Sequence, residues 1–158
     1  MDNTDLYRMS PKIFSKYMES KIKKFMGASD PEDNSYDALC GGKKIEIKSI
    51  RIARVGNTSF YERAITFAES FNQEIKGNIN DIKPKYFDYL IISIVWKDKI
   101  KYCLIPSEEV NNLKYFSENQ RSGGIGDGEI QITNKSLQYL LDNYSISEED
   151  LNNTCLDY

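Results

Sequence analysis

The chain has 158 residues, 40% of them hydrophobic and 28% charged, a balance that suits one packed domain rather than a disordered or membrane protein. It contains no histidine, which removes Ser-His-Asp and Cys-His catalysis, imidazole zinc sites and histidine general bases. The net charge of −3 does not by itself mark a nucleic-acid binder, so any such role must rest on local charge.

The first twenty residues are polar and charged, and no apolar run approaches the roughly 18 residues of a spanning helix. No signal peptide or membrane segment is therefore expected, and the reading is cytoplasmic. Ser10-Pro11 opens a helix, with serine as the cap and proline in the first turn. Ile13, Phe14, Tyr17, Met18, Ile22, Phe25 and Met26 recur at helical spacing until Gly27 ends it. An acidic loop follows over 28–35. Two strand-like runs, Tyr36 to Cys40 and Lys43 to Ile52, flank Gly41-Gly42, a hairpin signal because glycine reaches the positive φ of a two-residue turn. Ser59 and Glu62 have capping-box spacing, and Phe60, Ala64, Phe67, Ala68, Phe71 and Ile75 continue it as a predicted second helix. Residues 77–85 read as a loop around Lys83-Pro84-Lys85. Tyr86 to Trp96 reads as a buried central strand, which turns at Lys97 to Lys99 into a strand over Ile100 to Ile105. Pro106-Ser107 opens a short helix, residues 117–128 form a glycine-rich loop, a strand follows over 129–133, and a helix over 135–143 precedes an acidic tail. Cys40, Cys103 and Cys155, odd in number and without a CxxC pair, are expected to be reduced thiols. The pattern is α/β, in a single domain spanning 1–158.

The hairpin carries the chemistry. With Gly41-Gly42 as the turn, facing residues have numbers that sum to 83, so Asp37 lies opposite Glu46 with Cβ atoms roughly 5 Å apart. Lys48 projects on the same side as Glu46, while Ala38, Cys40, Ile45 and Ile47 form the other face, against a core helix. Two carboxylates at that distance repel by about 3 kcal/mol at an effective dielectric of 20, so the site must protonate one or bind a cation. Oxygen ligands without nitrogen or sulfur select Mg²⁺, with Mn²⁺ as a substitute. Such an ion activates water and stabilises charge on a phosphate, and Lys48 can orient the attacking water.

A [DE]xK triplet alone is weak evidence, because the chain has four: Glu19-Ser20-Lys21, Glu46-Ile47-Lys48, Glu74-Ile75-Lys76 and Asp81-Ile82-Lys83. The first and third fall in helical patterns and the fourth in a loop. Only Glu46-Ile47-Lys48 lies in a strand with an acidic residue placed opposite.

Tyr36-Asp37-Ala38, the glycine turn and Ile45-Glu46-Ile47-Lys48-Ser49 together resemble the signature of PD-(D/E)xK nucleases, particularly small type II restriction endonucleases. The resemblance covers roughly residues 10–106, with 107–158 as a DNA-reading or dimerising extension. It implies a restriction-endonuclease-like core, a central mixed β-sheet flanked by helices. It further implies that Asp37 and Glu46 are metal ligands, Ile47 a carbonyl ligand and Lys48 the catalytic lysine. Tyr36 stands where the family name has proline. Many such nucleases add a glutamate from the first helix; Glu19 could fill that place, or pair with Lys16 or Lys23 on the surface.

The expected activity is Mg²⁺-dependent hydrolysis of double-stranded DNA by a homodimer, since one site per subunit on a two-fold duplex cuts both strands. A repair or junction-resolving nuclease of the same core, or a non-catalytic DNA-binding module, are the alternatives. Within 43–63 the basic side chains Lys43, Lys44, Lys48, Arg51, Arg54 and Arg63 outnumber Glu46 and Glu62. Arg51, Arg54 and Asn57 are assigned to phosphates first and bases second. Asn119, Gln120 and Arg121 offer base-edge readers beside the glycine loop, unless that segment is only a polar surface turn.

Overall fold

The computed structural model describes residues 3–54, 67–69, 75–118 and 127–157. They form an α/β fold whose mixed sheet is flanked by helices. A short helix α1 (Thr4–Tyr7) precedes α2 (Pro11–Met26). Ser10 caps α2 by accepting from the Ile13 N–H, and Gly27 ends it in the left-handed conformation, because only glycine takes φ 71° without strain. Strands β1 (Ala38–Cys40) and β2 (Lys43–Arg54) make the hairpin, and Gly41 and Gly42 both hold positive φ. β3 (Phe67–Glu69) and β4 (Ile75–Ile82) follow, then a 3₁₀ turn at Pro84–Tyr86, β5 (Tyr89–Val95), β6 (Ile100–Pro106) and the short helix α3 (Ser107–Val110). The chain closes with β7 (Phe116–Ser117), β8 (Gly128–Thr133), α4 (Asn134–Tyr144), β9 (Ser145–Ile146), α5 (Glu148–Asn153) and a 3₁₀ turn over Thr154–Asp157.

The strand order is β7-β8-β4-β3-β2-β5-β6-β9, with β1 paired to β2 as a side branch. β2 and β5 run parallel over seven residue pairs, from Ile45–Tyr89 to Arg51–Val95. On its other edge, β2 is antiparallel to β1 at its start and parallel to β3 at its end, over Ile52 to Arg54. Between these two partners, residues 46–51 have no strand on that edge among the described residues. This gap opens the sheet beside Glu46 and Lys48.

Alternation along β2 and β5 builds two cores. Ile45, Ile47, Ile91 and Val95 pack against Phe14, Met18, Ile22 and Met26 of α2. Ile50, Ile52, Leu90, Ile92 and Ile94 pack on the opposite face with Val110, Leu137 and Leu140. The burial of α2 at four positions of helical spacing is the stripe its sequence predicts.

Three expectations are corrected. The helix predicted from Ser59 to Ile75 is interrupted by strand at 67–69 and at 75; residues 59–66 and 70–74 lie outside the described residues. Pairing of β3 with both β2 and β4 overrides the helical spacing there, as tertiary context commonly does. The predicted loop 77–85 is mostly strand, because β4 is antiparallel to β8. Finally, Cys40 and Cys155 form a disulfide, with Cα atoms 4.9 Å apart, and only Cys103 of the three is a free, buried thiol. Their 115-residue separation hid the pair from any spacing rule.

Arg51 is the fourth correction. It is completely buried and donates from Nη1 to the carbonyls of Leu6 at 2.7 Å and Met9 at 2.8 Å. Its guanidinium carbon lies 4.3 Å from the Phe14 ring centroid. It pins the N-terminal segment to the sheet and has no surface to offer a phosphate. Arg51→Ala is expected to cost about 3 kcal/mol or more, since it strands two buried carbonyls and opens a cavity. Urea unfolding checks this; a loss below about 1 kcal/mol would contradict the structural role.

No helix among the described residues is long and apolar enough to cross a membrane.

Candidate active site

The hairpin register is the one expected: Ala38 pairs with Ile45, Leu39 with Lys44 and Cys40 with Lys43. The ladder ends at Ala38; one residue earlier the Asp37 N–H donates to the Ile45 carbonyl at 2.9 Å, and the Asp37 and Glu46 carboxyls lie within hydrogen-bonding reach. The Asp37 carboxylate is then fixed by a second contact, because its Oδ2 accepts from the Ile47 N–H at 2.7 Å. That amide sits on the edge of β2 facing away from β5, past the end of β1, where no strand among the described residues meets it. The N–H and C=O of an extended residue point the same way, so the Ile47 carbonyl lies on the same open edge as Asp37.

Glu46 is largely buried, and its carboxyl is pushed up to about 9. Burial is the leading cause, followed by hydrogen bonding to and repulsion by Asp37; Lys48 opposes the shift and Glu19 adds to it. Burial and the neighbouring Asp37 thus favour the protonated form of Glu46. Glu19, half-buried on α2, is also raised above the usual carboxylate range, first by burial and then by Asp37, against Lys23, Lys16 and Lys48. Lys23 meanwhile engages Asp30 at 2.8 Å. Glu19 thus stands in the field of the Asp37–Glu46 pair as well as that of its helix neighbours.

Glu46 opens into a cleft of about 500 Å³ lined also by Lys48, Asn34, Ser35, Asp81, Lys83 and Tyr86. Asp81 and Lys83 belong to the triplet that the sequence places in a loop. Ile82 between them is fully buried, the alternation of a strand, which in the sequence is outweighed by the turn signal of Lys83-Pro84-Lys85. Asp81 holds φ 59°, beside a register shift of β4 against β8 between Ile79 and Ile82; such a bulge re-aims the side chains that follow it. Lys83 is held at 3.0 Å by Asp127.

The expected site residues divide as follows. Glu46 and Lys48 line one cleft, with Asp37 and the Ile47 backbone at the adjoining edge. Arg51 is removed to the core. Arg54 lies in β2, but its side chain is outside the described residues, as are Asn57, Asn119, Gln120 and Arg121. Among the described residues no group of three or more His, Cys, Asp or Glu side chains is close enough to enclose a metal ion. A cation here would therefore rest on Asp37, Glu46 and the Ile47 carbonyl, with water completing its shell. All of these donors are oxygens, which fits Mg²⁺ or Mn²⁺.

The raised Glu46 carboxyl gives a direct prediction for the metal-free protein. A carboxyl raised in the folded state contributes stability that is full below its unfolded pKa of about 4.5 and lost as pH rises through about 9. In EDTA, wild-type stability should therefore fall between pH 5 and 9 by up to about 1.4 kcal/mol per pH unit. Glu46→Gln should flatten that slope and raise Tm at pH 8 by several degrees. Parallel melting curves across pH would refute this if the two proteins showed equal slopes.

No family model matches the chain, and no curated protein matches it.

Proposed function

We propose that the protein is a metal-dependent endodeoxyribonuclease with a restriction-endonuclease-like core, acting on double-stranded DNA as a type II restriction enzyme and working as a homodimer. The observation that carries this reading is the facing pair Asp37–Glu46 with Lys48 on the same strand face, at a gap in the sheet that opens as a cleft. Paired carboxylates need a proton or a cation between them, and a phosphodiester is the substrate whose hydrolysis such a cation serves. A bound Mg²⁺ would be held by Asp37, Glu46 and the Ile47 carbonyl, and would supply Lewis-acid stabilisation and a more acidic water.

The remaining work belongs to the chain. The Ile47 N–H fixes one Asp37 oxygen and so keeps the carboxylate from turning away. Lys48 presents an ammonium beside Glu46, where it can orient the attacking water and neutralise charge that develops on the phosphorane oxygens. Lys83, braced by Asp127, puts a second cation at the cleft, suited to a flanking phosphate. One such site per subunit cuts one strand, so a two-fold dimer on a two-fold duplex cuts both.

The test is digestion of unmethylated phage DNA with Mg²⁺ and with Mn²⁺, wild type against Lys48→Ala. Discrete bands from wild type alone support a sequence-specific endonuclease acting at this hairpin. Cleavage confined to branched or mismatched duplexes would transfer the reading to repair or junction resolution. Intact DNA with both metals would leave a DNA-binding module.

A further inference from the structure

A second cleft, of about 520 Å³, lies outside the carboxylate site. β4 and β8 form its floor and the segment leading into β7 forms its wall. Asn78 is the direct antiparallel partner of Gln131, so their side chains stand on one face with Cβ atoms about 5 Å apart. Ile130 and Ile132 are buried in the core, which turns Glu129, Gln131 and Thr133 to the cleft face. The Thr133 hydroxyl is already committed, since it caps α4 by accepting from the Ser136 N–H. Gln131 donates its backbone N–H to the Tyr115 carbonyl at 2.9 Å, which fixes Tyr115 at the edge of the floor. Lys114 Nζ stands 6.0 Å from the Tyr115 ring centroid. Among the described residues neither the Asn78 nor the Gln131 amide meets a protein partner.

We infer that this cleft is a nucleobase-reading subsite, best matched to adenine. Its lining carries one cation, Lys114, and one anion, Glu129, which does not favour a phosphate. It offers instead two amides, each with a carbonyl acceptor and an NH₂ donor. An amide carbonyl accepts from adenine N6 while its NH₂ donates to N7. Its size is that of ordinary small-ligand pockets, about 300–1,000 Å³.

The placement deepens the nuclease reading, on which the DNA role of the subsite rests. β4 carries Asn78 in this cleft and Asp81 in the carboxylate cleft. One strand thus links the two clefts.

Two measurements on the full chain test the subsite. In the first, the side-chain NH₂ signals of Asn78 and Gln131 are followed by NMR during titration with the four nucleosides and with ribose. Shifts with adenosine that ribose does not produce are expected; signals that stay fixed with every nucleoside overturn the subsite. In the second, cleaved sites are selected from a randomised duplex by wild type and by the double variant Asn78→Ala/Gln131→Ala. The variant should lose the preference at one position of the cleaved site, with affinity for the preferred sequence down roughly tenfold or more. A variant that retains every wild-type preference overturns the assignment. If wild type neither binds nor cuts DNA yet the amides answer adenosine, the nuclease reading falls and the subsite stands. If wild type cuts DNA and the amides never move, the reverse holds.

Discussion

Lys48→Ala is expected to lower the rate of DNA cleavage about a thousandfold while leaving the fold intact. The size follows from the position of the group. Lys48 stands two residues from Glu46 on one strand, in register with Ile92 of β5, and lines the cleft with it. A strand paired along its length to a buried neighbour holds its side chains with little freedom, so the ammonium is preorganised where charge develops. Removing one such preorganised group costs roughly 10²–10³ in kcat in other enzymes, and here the same group also orients water. Stability should change little, since Lys48 is half-buried and packs into no core. Asp37→Ala should match the loss and add a second signature. With Asp37 gone the Ile47 N–H loses its acceptor, and the rise in Tm that Mg²⁺ is expected to give the wild type should be lost. Single-turnover cleavage and melting with and without Mg²⁺ settle both points. Lys48→Ala cutting within tenfold of wild type would sink the catalytic assignment.

The second large effect is expected at the disulfide. Cys40 lies in β1, three residues from Asp37, and Cys155 lies in the turn after α5, so the bond ties the C-terminal segment to the hairpin that bears the site. α5 packs on α2, and α2 packs on β2 through the Ile45 and Ile47 face. Closing a loop of 115 residues removes unfolded-chain entropy worth about 4–5 kcal/mol. Cys155→Ser should therefore lower Tm by roughly 10 °C or more, and a reductant should do the same to wild type but nothing further to the variant. Cys103, which is buried at the other core, should be silent in both experiments. A Tm for Cys155→Ser within about 2 °C of wild type would argue that the bond does not form in solution.

Much of the hairpin was legible from residue order alone. Two glycines fix a two-residue turn, the turn fixes the register, and the register sets Asp37 against Glu46 with Lys48 on the same face. The same parity condemned Arg51 as a DNA contact: it shares the odd-numbered face with Ile45 and Ile47, opposite to Glu46 and Lys48. That signal was present in the sequence and was outweighed there by local basic charge. The helix at 11–26 was equally plain, because its cap, apolar stripe and terminal glycine agree.

What residue order did determine, then, is whatever depends on contacts a few residues apart: the caps, the hairpin, the alternation and the facing carboxylates. Tertiary structure alone decided the rest. Phe67–Glu69 became a strand because β2 and β4 were there to pair with it. Asp81 and Lys83 joined Glu46 and Lys48 because β4 ends beside the gap in the sheet. Asn78 met Gln131 across 53 residues, and Cys40 met Cys155 across 115. The physical reason is common to all four. Pairing between strands and between cysteines is driven by partners brought close in space, and no periodicity within either segment encodes which partner will arrive.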